Sequence, residues 1–318
     1  MLEGTEDSMN RRHLLRAGAA AFGSAMAVSW EDVVGSAFDA PLRFRYAICN
    51  EMFEKLDLAA QCRMIHAAGF QGIEIAPFTL ADNLDEITPA KRRELRGTIR
   101  SEGLQFAGLH WLLITPKWLH LTTADRDIRQ KSWNYFLELI DFCSDLGGGV
   151  MVLGSPKQRA SQGNTSADAA KIFQEGLARV APHAGERGCV IAIEPLPGKD
   201  TDVVNTLQEA VRIVKDLHTP AVQTMFDFHN TADEREPMDV LVRRHFQYIR
   251  HVHINEMDGR YPGTGNLNFL PVFKVLAELK YAGWISLEVF DFKPGPEQIL
   301  RETMIYLNNL ETAIASAS

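Results

Sequence analysis

The sequence predicts an eightfold β/α barrel, an α/β fold of the (β/α)8 TIM type, on three observations. Apolar, β-branched segments alternate with helical stretches eight times from about Leu42 onward. Four late segments, IAIEP, QTMFD, HVHIN and ISLEV, each end in a residue able to bind a divalent metal: Glu194, Asp227, His253 and Glu288. Their intervals of 33, 26 and 35 residues each leave room for one helix and its two loops. Candidate ligands therefore arrive in phase at the same end of successive parallel strands, the end where such barrels carry their chemistry.

The strands are expected over Phe44–Cys49, Gly72–Ala76, Gln105–His110, Val150–Gly154, Val190–Glu194, Val222–Asp227, Ile249–Asn255 and Trp284–Val289. Most are continuously apolar, as strands covered on both faces must be. Helices are expected over Asp57–Ala68, Pro89–Ser101, Arg126–Leu146, Ala167–Arg187, Thr206–Leu217, Pro237–His245 and Leu270–Tyr281, with a last one after Pro296. Asp57, Thr88 and Thr206 sit where N-caps belong. Gly69, Gly103, Gly147, Gly188 and Gly283 fall just after helices, where a left-handed turn favours glycine. An open doubly wound sheet would also alternate, but it ordinarily carries a glycine-rich phosphate turn after its first strand, and Cys49-Asn50-Glu51-Met52 has none.

Residues 1–27 read differently. Arg11-Arg12 precedes a weakly apolar, Ala/Gly-rich stretch from Ala17 to Val28, and Ala25-Met26-Ala27 supplies small residues for a cleavage site. This resembles a twin-arginine export signal, which implies a periplasmic protein, with a linker over 28–41 and a single barrel domain over 42–318. Acidic Glu3, Glu6 and Asp7 are unusual there and point to Met9 as an alternative start; a cytoplasmic tail is the competing reading. The four cysteines show no CxxC pairing and are expected to be buried thiols.

Composition narrows the function. A net charge of −8 with a pI near 5.7 argues against a nucleic-acid groove. No segment reaches the roughly 18 uninterrupted apolar residues of a membrane helix, so no membrane anchor is expected.

One Glu, one Asp, one His and one Glu make a mixed oxygen/nitrogen site for Mn²⁺ above all, or Co²⁺ or Mg²⁺. Side chains alternate along a strand, so His251 and His253 share a face; His253 is the outer ligand and His251 a deeper, hydrogen-bonded histidine. Asp227 and His229 also share a parity. Glu194 and Glu288 arrive nearly across the barrel from each other. A metal holding a carbonyl and its neighbouring hydroxyl acidifies the adjacent C–H, so one glutamate can take the proton and the other return one from the opposite side.

The segments IEPLPGKD, FDFHN, HVHINEMDGRYPGTG and SLEVF resemble the sugar isomerase/epimerase barrels of xylose-isomerase-like fold over about residues 42–312. That group includes ketose 3-epimerases, hydroxypyruvate isomerase, inosose dehydratase and, more distantly, endonuclease IV. The resemblance implies Glu194, Asp227, His253 and Glu288 as metal ligands, with Glu194 and Glu288 as the acid/base pair. It also places an acidic substrate contact on Asp200 and a histidine contact nearest His229. Two departures stand out. The epimerases space that Asp and His three apart, whereas Asp227 and His229 are two apart. Their arginine after the His ligand falls on Gly259, with Arg260 following.

By strand order His110, Trp111, Gln158 and Arg159 also face the mouth, Trp111 to stack on a sugar ring and the others to donate to hydroxyls. Glu74, ending the second strand, is a candidate partner for a metal-binding residue. Gly263-Thr264-Gly265 is a weak phosphate-cradle signal, since the turn itself needs its glycines.

The leading expectation is a divalent-metal sugar epimerase or isomerase working through an enediolate on a non-phosphorylated keto-sugar, possible as a homo-oligomer. The alternative is a metal-dependent lyase or dehydratase acting on an inosose or a 3-keto-glycoside, which shares the first proton abstraction. A non-catalytic sugar-binding barrel is the third reading.

Overall fold

In the computed structural model, residues 44–316, apart from Glu54, are described; the signal and linker assigned to residues 1–41 lie outside them. Eight parallel strands close into a barrel in chain order: β1 Arg45–Cys49, β2 Gly72–Ile75, β3 Gln105–Leu109, β4 Gly149–Leu153, β5 Cys189–Ile193, β6 Val222–Asp227, β7 Ile249–Ile254 and β8 Trp284–Leu287. Every strand forecast is met to within two residues at either end.

Helices surround the barrel. Asp57, Thr88 and Thr206 each cap a helix by accepting a backbone N–H from the first turn, a contact worth about 1 kcal/mol. Four of the five glycines named above take the left-handed turn. The exception is Gly283. The helix before β8 ends at Glu278, and Lys280 takes the left-handed conformation instead. Gly283 is required for another reason: a side chain there would collide with the Tyr281 ring.

The outward strand faces pack Ile48, Ile73, Ile75, Leu109 and Ile254 under the helices in one large apolar core. The barrel interior is filled in tiers. At its floor the Trp284 ring lies over Ala47 and Ala107, with the Arg45 guanidinium 3.8 Å from its centroid. Gly72 leaves room for that ring, since a Cβ would strike it. One inward step higher, Glu74 and His251 replace apolar groups; one step higher again come the candidate ligands. Pairing sets these neighbours side by side: Cys49 opposite Glu74, and Asp227 opposite His253.

No helix of the described residues is long and apolar enough to cross a membrane. All four cysteines are free and buried, as expected.

Candidate active site

Glu194, Asp227, His253 and Glu288 converge at the C-terminal end of the barrel, where each can offer one donor atom and these atoms all lie within 4.8 Å of one another. His253 Nδ1 lies 3.0 Å from Glu288 Oε2 and 3.9 Å from Asp227 Oδ2. All four side chains are buried. Gly154, at the end of β4, permits this: a Cβ there would collide with Glu194 Oε2.

Three buried carboxylates crowd one imidazole, and their proton affinities show the strain. Burial, then the charges of Glu288 and Asp227, push the Glu194 carboxyl well above its ordinary range. Burial, then the Glu288 charge, lifts Asp227 to about 6. For Glu288 burial acts the same way, but the neighbouring His253 outweighs it and holds the carboxyl below its usual value. Burial alone would lower His253; Glu288 and Glu74 raise it well above the usual imidazole range. A cluster of three carboxylates that a single imidazolium cannot neutralise is suited to a divalent cation, and this donor set fits one.

Beneath it, fully buried Glu74 bridges two histidines of β7, with Oε2 2.7 Å from His251 Nε2 and Oε1 3.2 Å from His253 Nε2. His251 is therefore the deep, hydrogen-bonded histidine expected.

A cavity of about 200 Å³ opens over the cluster, lined in part by His110, Trp111, Asp200, His229, Glu194 and Glu288. Trp111 holds a left-handed backbone at φ 49° to present its ring; such outliers gather at functional sites. His229 donates its backbone N–H to Asp227 Oδ1 at 2.7 Å, and its ring meets Phe290 edge-on at 5.2 Å.

Three expected substrate contacts are not brought to the cavity. Arg159 is fully buried and turns back to donate to the carbonyls of Leu153 and Val204 at 3.0 and 3.3 Å. It lies on a four-residue helix, Pro156–Arg159, which directs it under the loop and away from the mouth. Burial lowers its pKa to about 10. Gln158, on the same turn, is absent from the lining; its backbone carbonyl accepts from Leu121 N–H. Arg260 pairs with Asp258 at 2.8 Å on the exposed loop and is likewise absent from the lining.

Two residues were missed. Asn230 donates its amide to both Glu194 Oε1 and Asp227 Oδ2, each at 3.0 Å, and it lines the cavity. It stands three residues after Asp227, the spacing noted for the epimerases, and that spacing was the available signal. Glu51 was passed over as a loop residue, yet its Oε2 lies 2.7 Å from His110 Nε2 in a buried pair. The Gly263–Gly265 loop has no vacancy for phosphate: Glu256 accepts the N–H groups of Gly263 and Leu267 at 3.0 and 3.1 Å.

Comparison with known proteins agrees with this geometry. Residues 62–310 match the family model described as xylose isomerase-like TIM barrel. The chain is 23% identical over 273 residues to a 3-dehydro-D-guloside 4-epimerase of Escherichia coli K12, covering 81% of this chain and 97% of that one. It is 25% identical over 232 residues to a probable ketose 3-epimerase of Synechocystis, covering 71% and 76%. In fold it is similar to the crystal structure of an E. coli 3-keto-D-glucoside 4-epimerase, with TM-score 0.73 and 20% identity, covering 84% of this chain and 99% of that one. With most of its length accounted for by that model, and Glu194, Asp227, His253 and Glu288 clustered at the strand ends where such barrels carry their chemistry, the chain belongs to the xylose isomerase-like TIM barrel family.

Proposed function

We propose that this protein is a divalent-metal sugar epimerase or isomerase that moves a proton beside a carbonyl of a non-phosphorylated keto-sugar or keto-glycoside. The observation that carries the reading is the buried quartet Glu194, Asp227, His253 and Glu288, of which Glu194 and Glu288 line the cavity. Relatives named as epimerases place the chain in the isomerase/epimerase class of enzymes.

Glu194, Asp227, His253 and Glu288 would hold a divalent ion, Mn²⁺ by preference, which would supply Lewis-acid polarisation of the substrate carbonyl. The chain's own groups do the rest. Glu194 and Glu288 come from strands β5 and β8, so a substrate held between them meets one carboxylate from each side. One takes the proton from the carbon next to the carbonyl and the other delivers one to the opposite face. Asn230 holds Glu194 and Asp227 in fixed orientation. Trp111 offers an apolar face for the sugar ring, while Asp200 and His229 line the wall where hydroxyls would lie.

Absence of phosphate from the substrate follows from charge. No lysine or arginine lines the cavity, and Glu256 already takes the loop N–H groups that could have held one. Three acidic side chains at the cavity would repel a phosphate.

The test is incubation of Mn²⁺-loaded protein with ketoses, inososes and 3-keto-glycosides in D₂O, followed by NMR. Exchange of one C–H with formation of a stereoisomer or an aldose–ketose isomer is expected. Release of water or an aglycone would replace the epimerase reading with the lyase. Glu194→Gln and Glu288→Gln should each lower turnover by at least ~10², the low end for a positioned acid/base, while retaining part of the metal affinity.

A further inference from the structure

Glu74 is a fully buried carboxylate that no step above uses. It lies on β2, five strands from β7 by chain order, yet both of its oxygens reach histidines of β7 across the barrel. His251 Nδ1 is buried without a hydrogen-bond partner. A neutral ring places its proton where it can be bonded, so His251 donates Nε2–H to Glu74 Oε2 at 2.7 Å. That contact fixes the carboxylate and leaves Oε1 facing His253 Nε2 at 3.2 Å. The other nitrogen of His253, Nδ1, faces Glu288 and Asp227. The two nitrogens therefore look at chemically different surroundings, one a single buried carboxylate and the other the ligand cluster.

Burying a carboxylate demands desolvation that its hydrogen bonds repay only in part, so stability alone is a poor reason for Glu74 to lie here. Ring orientation is a better one. A carboxylate bonded to the far nitrogen of a ligating imidazole sets its tautomer and raises its basicity.

We propose that Glu74 is a positioning residue that holds the His253 proton on Nε2, so that Nδ1 is the nitrogen presented to the metal, and that His251 is the brace that keeps Glu74 in place. This rests on the metal-dependent reading above. It adds a definite nitrogen, a buried anchor on β2, and a role for both histidines of the HVH segment. Cys49 Sγ lies 3.9 Å from His253 Nε2, and with Glu74 it forms a second donor group deeper in the barrel. An ion bound there would use Nε2 instead. That site is excluded because Nε2 already donates to Glu74 at 3.2 Å.

Two measurements test it. The first uses the wild-type full chain, labelled with ¹⁵N-histidine and loaded with diamagnetic Zn²⁺, in long-range ¹H–¹⁵N correlation. The expected result is a protonated Nε2 and a metal-bound Nδ1 on His253. A metal-bound Nε2 would overturn the proposal even with the epimerase reading intact. The second titrates Mn²⁺ against a competing chelator in Glu74→Gln. Affinity should fall about 10- to 100-fold, the usual loss for such a partner. His251→Gln should weaken binding by less, since it touches the ion only through Glu74. A Glu74→Gln protein that binds Mn²⁺ as tightly as wild type would reduce Glu74 to a packing role. If that variant does not fold, the wild-type spectrum decides. Failure of wild type to bind any divalent ion would overturn both this inference and the metal-dependent reading.

Discussion

Replacing Asp227 by Asn should make the metal-free protein more stable and the metal-loaded protein less so. Asp227 is lifted from its ordinary 3.8 to about 6 by burial and by the Glu288 charge. The folded chain thus holds the Asp227 proton more tightly than the unfolded chain does. The penalty is absent below the unfolded value, grows as pH rises from 3.8 to 6, and is complete above. Two pKa units correspond to about 3 kcal/mol. An Asn removes that penalty and keeps an oxygen for the His229 N–H, now 2.7 Å away. It also turns an NH₂ toward the Asn230 amide, which donates to Asp227 at 3.0 Å, and losing that bond costs about 1–2 kcal/mol. The net gain is about 1–2 kcal/mol, or ~2–8 °C in melting temperature for a domain near this size. With Mn²⁺ at a hundred times its Kd, wild type gains about 2.7 kcal/mol, whereas the variant lacks a ligand and should gain little. Thermal melts at pH 8 in chelator and in Mn²⁺ should therefore cross, and the difference in chelator should shrink as pH falls from 6 toward 3.8. A variant less stable than wild type in chelator, yet stabilised equally by Mn²⁺, would refute both the electrostatic account and Asp227 as a ligand.

Gly154→Ala places a methyl where Glu194 Oε2 lies; turnover should fall by about 10², as for a small misplacement at a reacting centre, with Mn²⁺ affinity reduced in the same titration. Arg159→Met should lower stability by about 1–3 kcal/mol, since it removes two hydrogen bonds from a buried guanidinium while each carbonyl keeps a backbone N–H, and steady-state kinetics on the folded fraction should show KM nearly unchanged. We also propose export through the twin-arginine route. A reporter fused to residues 1–40 should reach the periplasm and lose export when Arg11 and Arg12 both become Lys, and equal export of the two fusions would count against the signal.

The barrel and the clustering of Glu194, Asp227, His253 and Glu288 were legible because both follow a period. A parallel strand buried on two faces must be apolar along its length, so a charged residue at its end is conspicuous, and a fixed interval carries that conspicuousness to the next strand. Loop residues have no such constraint. Arg159 follows a glycine and a proline after β4 and reads as a mouth residue; only the four-residue helix Pro156–Arg159, begun from a left-handed Ser155, turns it inward. Asn230 reads as an ordinary turn residue until its amide is seen between two carboxylates. Glu51 reads as the start of a loop, but it lies in a 3₁₀ turn, Asn50–Phe53, whose four residues are all buried. Gly283 does not take the turn because the helix ends at Glu278, three residues short of the expected Tyr281, which transfers the left-handed turn to Lys280.

Those differences divide the site into two parts with different freedoms. The candidate ligands and Glu74 sit on strands or directly at strand ends: Glu74 and His253 are paired on both sides, Asp227 stands opposite His253, and Glu194 and Glu288 follow β5 and β8 with their N–H groups on the Leu153 and Ile254 carbonyls. Moving one of the paired residues requires a change of register, which would turn its side chain to the opposite face. The groups that depart from the epimerase pattern lie elsewhere: His229 just beyond β6, with Asn230 at the position spaced like the epimerases' histidine, and Arg260 in the loop after β7. Loops can change without disturbing the barrel. On the proposed function, the fixed part is therefore the metal and proton-transfer floor and the variable part is the substrate wall. A free ketose and a keto-glycoside present the same carbonyl to the floor and differ in what they press against Trp111, Asp200, His229 and Phe290. Exchanging those wall residues should shift preference among keto-sugars, expressed as kcat/KM ratios, while leaving Mn²⁺ affinity at the floor unchanged. A wall substitution that altered metal affinity as strongly as Glu74→Gln would show that the two parts are not separable.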